Sequence, residues 1–339
     1  LSERTKPTAL VVMDRTSFRA HFDPVRLERL ARLVTLADPV WTDEVDSPSA
    51  RARLAGAEVL LTSWGAPTLT PERLAGAPAL RAVFHCAGSV RSLVSSEVWR
   101  RGIQVTSAAD ANAIPVAEYT LAAIILAGKK APFIAANSEA AYRGWSHLAG
   151  YGDLSNYRRT VGIVGFSRIG RRVVDLLRCL DSTVCLVADP YADADAVRSA
   201  GGTLLDLHEV LPRSEVLSLH APALPGTRHM IGAAELALLP DHATVINTAR
   251  GSLVDSQALV AECRAGRLFA ILDVTEPEPL PPDAPLRATP NVMITPHLAG
   301  SLGSEILRLT DHTLAELSRW TAGEPLRAEV TPEALVLNA

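Results

Sequence analysis

The chain has 339 residues, long enough for two domains of roughly 150 residues each. Hydrophobic residues make up 48% and charged residues 21%, the balance of a folded globular protein and not of a disordered one. A net charge of −4 offers no basic field for a phosphate backbone, so a nucleic-acid partner is not expected.

In chain order, the first predicted strand is Ala9-Leu10-Val11-Val12-Met13. Lys6-Pro7 before it and Asp14 after it argue against a signal peptide. Because the sequence starts at Leu1, an initiator or short leader is expected to lie outside it. Val59-Leu60-Leu61 and Ala82-Val83-Phe84 are the next predicted strands. The longest apolar run, Leu121 to Ala127, falls far short of the ~20 residues that span a bilayer, so no membrane partner is expected. The polar, glycine-bearing stretch Arg143 to Arg159 is expected to cross the surface before a new sheet starts at Thr160.

From Thr160 onward strands and helices alternate. Val161 to Val164, Val184 to Val187, Val216 to Leu219, Thr244 to Ile246, Phe269 to Leu272 and Val292 to Thr295 are short apolar runs bounded by turn residues. Such runs suit strands buried on both faces of a parallel sheet. Between them, Val173, Leu176, Leu177 and Leu180 recur at helical spacing from about Ile169, and Ala258, Leu259 and Cys263 do the same. Glu276 to Pro290 reads as a long proline-rich loop of the kind that carries function. Ile306, Leu309, Thr313, Leu317 and Trp320 place one apolar face on a final helix. The alternation predicts an α/β protein with doubly wound parallel sheets. The cysteines, Cys86, Cys179, Cys185 and Cys263, form no CxxC pair and are expected to be buried free thiols in a reducing, cytoplasmic setting.

Thr160-Val-Gly-Ile-Val-Gly-Phe-Ser-Arg-Ile-Gly170 is a strand, a tight turn and a helix start. Gly165 and Gly170 occupy the first and third glycine positions of GxGxxG. A helix N-terminus at this place offers N–H groups to a pyrophosphate. Asp189, at the end of the next strand, is placed to accept both ribose hydroxyls of NAD and to repel the phosphate of NADP. Ser167 stands where the fingerprint has its second glycine: its Cβ would crowd a phosphate, while its hydroxyl could donate to one. The turn reads as a dinucleotide site or as a purely structural βαβ turn.

Three segments place polar groups just after later strands: Arg250 after Val245-Ile246, Asp273 and Glu278 after Ile271-Leu272, and His297 after the run ending at Thr295. Ligands of open parallel sheets sit at the carboxyl ends of the strands. An Arg, an acid and a His gathered there suit polarisation of a carbonyl and proton transfer to it. Taken singly, each has a plainer reading: a surface ion pair, a solvated loop charge, a hydrogen-bonded core histidine.

These stretches resemble the D-isomer-specific 2-hydroxyacid dehydrogenases, the family that includes phosphoglycerate dehydrogenase and glyoxylate/hydroxypyruvate reductase. The resemblance runs from about Ala82 to Gly300. It rests on Val116-Ala-Glu-Tyr119, the glycine turn, Leu219-His-Ala-Pro222, Ile246-Asn-Thr-Ala-Arg-Gly-Ser-Leu-Val-Asp255, Leu272-Asp-Val-Thr-Glu-Pro-Glu-Pro279 and Thr295-Pro-His-Leu-Ala-Gly300. It implies a Rossmann-type nucleotide domain at 107–298, inserted into a flavodoxin-like substrate domain made of 1–106 and 299–339, with the site in the cleft between them. It implies a homodimer formed largely by the nucleotide domains.

By the same resemblance Arg250 would grip the substrate carboxylate and polarise the carbonyl. His297 would donate or accept the proton, and Glu278 would pair with His297. Asp273 would hold the nicotinamide carboxamide. Gly165, Ser167, Arg168, Ile169, Gly170, Asp189, His220, Thr227, Thr248, Ala249 and Gly300 would complete the NAD (NADH) site. Gly88 and Ser89 match the segment whose backbone amides meet the substrate carboxylate. Formate dehydrogenases, a related branch, carry Gln at the Glu278 position, so Glu points towards a 2-oxo or 2-hydroxy acid as the small-molecule partner. In Ser89-Val90-Arg91 many members carry an acidic residue, which leaves substrate choice open. Trp64 would line the site and favour an apolar substrate side chain over a phosphorylated one, or would be a strand-end core residue. Arg91 is the cation near enough to meet a second anionic group. The alternative function on this fold is a non-catalytic NADH-sensing scaffold of the corepressor kind.

Overall fold

Two parallel sheets organise the chain, each built from short runs that bury both faces. The computed structural model describes residues 6–136 and 145–337. It divides into one unit of Leu1–Ala113 with Ser301–Ala339 and another of Ile114–Gly300. The helix Ala109–Gly128 runs across that division, whereas the sequence places the boundary at the end of the preceding strand.

In the first unit β1 (Thr8–Val12), β2 (Thr35–Thr42), β3 (Val59–Thr62), β4 (Ala82–His85) and β5 (Gln104–Ser107) form a five-stranded sheet in the order β2-β1-β3-β4-β5. That is the flavodoxin-like order, with its switch point between β1 and β3. The structure adds β2 and β5 to the predicted strands. β2 carries Pro39 and is half exposed, because it is an edge strand, where a missing N–H is tolerated. The helix Ile306–Ala322 buries Ile306, Leu309, Thr313 and Leu317, as its spacing requires. It is not the last helix: Pro332–Leu337 follows.

In the second unit β6 (Thr160–Val164), β7 (Val184–Ala188), β8 (Thr203–Leu204), β9 (Val216–Leu219), β10 (Thr244–Asn247), β11 (Phe269–Leu272) and β12 (Val292–Ile294) form a seven-stranded sheet. Its order is β12-β11-β10-β9-β6-β7-β8, the Rossmann winding, reversing between β6 and β9. One register row runs across it. Ala188 pairs with Val164, Val164 with Leu219, Leu219 with Asn247, Asn247 with Leu272, and Leu272 with Ile294. The residues that follow these partners are therefore Asp189, Gly165, His220, Thr248, Asp273 and Thr295, along one rim.

The structure bears on three sequence expectations and corrects one of them, that every cysteine is buried. The helix Ala109–Gly128 is long and apolar enough to cross a bilayer by length and composition, with a mean hydropathy of 1.4 in its best window. More than half of that window is buried and Thr120 hydrogen-bonds Thr248, so it serves as a core helix of the protein. Cys86, Cys185 and Cys263 are buried, and burial pushes each thiol up to about 12, but Cys179 is exposed just past a helix end. In the stretch expected to cross the surface, Arg143 and Gly144 lie outside the described residues, and Trp145–Tyr151 forms a 3-10 helix.

Candidate active site

The glycine turn is built by steric need. Gly165 has φ +96°, and a Cβ there would stand 2.6 Å from the Ala221 nitrogen. A Cβ on Gly170 would meet the Gly165 carbonyl at 2.0 Å, so the helix Arg168–Leu177 can approach the strand this closely only with glycine there. Ser167 needs no such freedom. Its backbone is extended (φ −69°, ψ −176°), and its Oγ caps the helix by accepting from the Gly170 N–H. The departure from the fingerprint therefore places a capping residue at the pyrophosphate end of the helix. Arg168 is exposed and Ile169 half-buried on its first turn.

Asp189 is fixed before any ligand arrives. Its Oδ2 accepts from the Phe166 N–H at 2.7 Å and its Oδ1 from the Tyr191 N–H at 2.9 Å. Each oxygen keeps a further lone pair for a ribose hydroxyl. Tyr191, which had no expected role, is 86% exposed beside it. His220 is buried, its Nε2 pairs with Ser218 Oγ at 2.9 Å, and its Nδ1 has no protein partner. Burial pushes its pKa down to about 3, so the ring is neutral. These features fit a dinucleotide: a left-handed turn that only glycine can make, a capped helix start, a pre-bonded acid and an unpartnered buried nitrogen along one rim.

Thr227 and Thr248 have other work. The Thr227 hydroxyl donates to the Pro222 carbonyl and accepts from the Leu224 N–H, closing its own turn. Thr120 donates to the Val116 carbonyl, so Thr248 is the donor in its 2.9 Å bond to Thr120. Both hydroxyls shape the rim from within. Ala249 is buried and Gly300 half-buried.

Arg250 leaves β10 on a turn made by Asn247. The Asn247 amide donates to the Arg250 carbonyl at 2.8 Å and accepts from the Ala249 N–H at 3.0 Å. Arg250 is half-buried and its Nη1 donates to the Ala249 carbonyl at 2.6 Å.

Asp273 is 1% exposed and holds the turn that carries His297. Its carboxylate accepts from Thr295 Oγ1 at 2.6 Å, from the Leu298 N–H at 2.8 Å and from the Ala299 N–H at 2.9 Å. Its backbone carbonyl accepts from the His297 N–H at 2.9 Å. Since Thr295 donates to Asp273, Tyr119 is the donor in its 2.9 Å bond to Thr295. Burial and the Asp273 charge raise the Tyr119 pKa, which keeps it a donor. His297 adopts φ +54°, the left-handed region, under these constraints. Its Nδ1 lies 2.5 Å from Glu278 Oε1, and both side chains are about half exposed.

Asn247, Tyr119 and Thr295 were missed as site-building residues. All three lie inside the stretches that carry the family resemblance, but nothing in their residue type marks a role.

In the first unit, Trp64 follows β3 while Gly88 and Ser89 follow β4, where Thr62 is paired with His85. Trp64 is 42% exposed, so it is not a closed core residue. The Asp14 N–H donates to its carbonyl at 3.0 Å, and its ring lies 5.6 Å from that of buried His21. His85 bonds the Ser89 backbone and Thr62. Arg91 is exposed and donates to the Leu335 carbonyl.

An open parallel sheet of this order, with a glycine turn and an acid on the neighbouring strand, defines a Rossmann-type dinucleotide-binding unit. The NAD-binding domain of the D-isomer specific 2-hydroxyacid dehydrogenases matches residues 123–299, and the chain belongs to that family. It is 32% identical over 251 residues to a D-3-phosphoglycerate dehydrogenase of Methanocaldococcus jannaschii, covering 74% of this chain and 47% of that protein. The chain thus spans about half the length of such relatives. It is 31% identical to a glyoxylate reductase of Aeropyrum pernix over 258 residues, 74% of this chain and 76% of that one. Among solved structures, a D-lactate dehydrogenase of Aquifex aeolicus, complexed with NAD and lactic acid, has a TM-score of 0.72. It is 25% identical, and the match covers 93% of this chain and 96% of that one.

Proposed function

We propose that the protein is an NAD-dependent oxidoreductase that interconverts a 2-oxo acid and a D-2-hydroxy acid. The observation that carries this reading is the contact of His297 with Glu278, on the rim that also bears Arg250 and the glycine turn. NAD would be held by the Gly165–Gly170 turn through its pyrophosphate and by Asp189 through its ribose. Asp273 would offer its remaining acceptor position to the carboxamide. When bound in reduced form, the cofactor supplies hydride to the carbonyl carbon.

The chain's own residues supply the rest. Arg250 offers a planar fork to the substrate carboxylate and positive charge to the carbonyl oxygen. Its other constraint, the Asn247 turn, fixes where that fork starts. His297 delivers a proton to the same oxygen from Nε2, because Nδ1 is taken by Glu278. One 2-oxo acid, one NADH and one proton give one D-2-hydroxy acid and NAD. Gly88 and Ser89 would add backbone donors to the carboxylate. Trp64 would favour an apolar substituent on the substrate.

The test is NADH oxidation with a panel of 2-oxo acids: glyoxylate, hydroxypyruvate, pyruvate, and branched and aryl acids. Turnover with at least one, giving the D product, is expected. Tight NADH binding without turnover of any would overturn it in favour of a non-catalytic NADH sensor.

A further inference from the structure

Glu276 is a charge the proposed reaction does not use, yet it sits where the reacting segments meet. Arg228 Nη1 lies 2.7 Å from each of its carboxylate oxygens. His229 Nε2 approaches the same carboxylate at 3.5 Å. The Arg228 guanidinium, with His229 beside it, holds the Glu276 carboxyl below the usual carboxylate range.

The clamp ties three segments together. The His229 N–H donates to the Ser252 carbonyl at 2.8 Å, so the Arg228-His229 segment is fastened two residues past Arg250. A Cβ on Gly251 would fall 2.1 Å from the Thr275 carbonyl and 2.6 Å from the Glu276 nitrogen, so the two backbones touch there. Thr275 Oγ1 donates to the Pro277 carbonyl at 2.8 Å, closing the turn that leads to Glu278. Glu278 then reaches His297.

We propose that Glu276, clamped by Arg228 and His229 against the Arg250–Ser252 segment, is a positioning residue that holds the Glu278 loop so that its carboxylate stays on His297. The proposal rests on the oxidoreductase reading only for its effect on rate, since the geometry it sets is present in the free protein. Without the clamp the loop would lose its tie to the Arg228-His229 segment. Glu278 would then spend part of its time away from the imidazole.

The experiment compares the wild type with Glu276→Ala and, as a change that leaves the loop sequence intact, Arg228→Met. The His297 ring is followed by NMR at fixed pH, its signals assigned by loss in His297→Ala. Both variants are expected to shift and broaden the His297 ring signals as Glu278 leaves Nδ1, and to lower kcat/KM for 2-oxo acid reduction roughly tenfold with the NADH Kd kept within twofold. A purely structural role would lower Tm without changing the ring signals. Unchanged ring signals in both variants overturn the proposal, whatever the rate does. Failure of the oxidoreductase reading looks different: a wild type inactive on every 2-oxo acid, with the ring signals still changed by both variants.

Discussion

Glu278 Oε1 stands 2.5 Å from Nδ1 of His297, a residue whose own backbone is held left-handed by the Asp273 turn. A carboxylate in contact with Nδ1 fixes the ring's orientation and leaves Nε2 to face the substrate. Reduction of a carbonyl takes its proton from that ring, so both side chains are expected to set the rate. Glu278→Gln keeps the shape and removes the charge, so kcat for reduction should fall about tenfold. His297→Ala should cost roughly 10²–10⁴ in kcat. The check is kcat/KM, with a deuteride isotope effect to show that chemistry limits the rate. A Glu278→Gln variant as fast as the wild type would break the coupling.

Arg250 offers a fork that lysine cannot copy. Arg250→Lys is expected to lose about 10² or more in kcat/KM for the 2-oxo acid, of the order seen when an oriented charge-stabilising donor is removed. The NADH Kd should hold within about twofold. If NADH affinity falls in parallel with kcat/KM, Arg250 serves the cofactor or the Asn247 turn instead.

The rim was legible in the sequence because each of its polar residues comes just after a short apolar run, and a parallel sheet sends those positions to one edge. The Rossmann winding of the second sheet was expected from the family resemblance and not from any local pattern. Part of what stayed hidden is hydrogen bonding between residues far apart in sequence. Tyr119 bonds Thr295 across 176 positions and Thr295 bonds Asp273 across 22, a chain that no local pattern announces. The strand β2 was hidden because an edge strand need not be apolar, and Pro39 reads as a breaker. Ser167 reads as a defect by fingerprint and is a helix cap by geometry.

Asp189 and Ser167 are proposed to set cofactor choice and affinity together. With both Asp189 oxygens already fixed by backbone N–H groups, the carboxylate cannot swing away from a 2′-phosphate. NADH should be preferred over NADPH by about tenfold or more, a like-charge cost of at least ~1.4 kcal/mol. Asp189→Ala should narrow the gap. Ser167 accepts from the Gly170 N–H and keeps its own proton for a phosphate oxygen. Ser167→Ala should therefore weaken NADH binding several-fold and cost about 1 kcal/mol of stability as a lost cap. Fluorescence titration with both nucleotides decides. Equal affinities for NADH and NADPH in the wild type would remove Asp189 from this role.

Three buried histidines make the fold acid-sensitive. Burial pushes His21 and His85 down to about 4, His21 with a smaller lowering from the neighbouring His85, and His220 down to about 3. Each is neutral in the folded chain and titrates at ~6.5 when unfolded. The unfolded state therefore binds more protons below ~6.5, and stability falls as pH drops from there towards 4. A histidine moved from 6.5 to about 4 removes about 3 kcal/mol over that window, against a net stability of roughly 5–15 kcal/mol. Lys130 works at the other end. Burial, and then the neighbouring Arg159, lower it to about 7 while its ammonium donates to the His242 carbonyl and Thr244 Oγ1. The unfolded state again holds the extra proton, so stability should keep rising from pH 7 towards 10. His21 is the cleanest single test, because its ring nitrogens pair with Ser63 and Thr310 hydroxyls at 2.8 Å and not with charges. Four of the five tryptophans, Trp41, Trp64, Trp99 and Trp320, lie in the same unit and Trp145 in the other, so tryptophan emission follows mainly the first unit's unfolding. Urea unfolding by fluorescence from pH 4.5 to 7.5 should show stability falling with acid in the wild type. In His21→Gln, which can still bond both hydroxyls, the slope should drop by about one proton. An identical slope in the two proteins would mean that His21 is charged, or solvated, in the folded state.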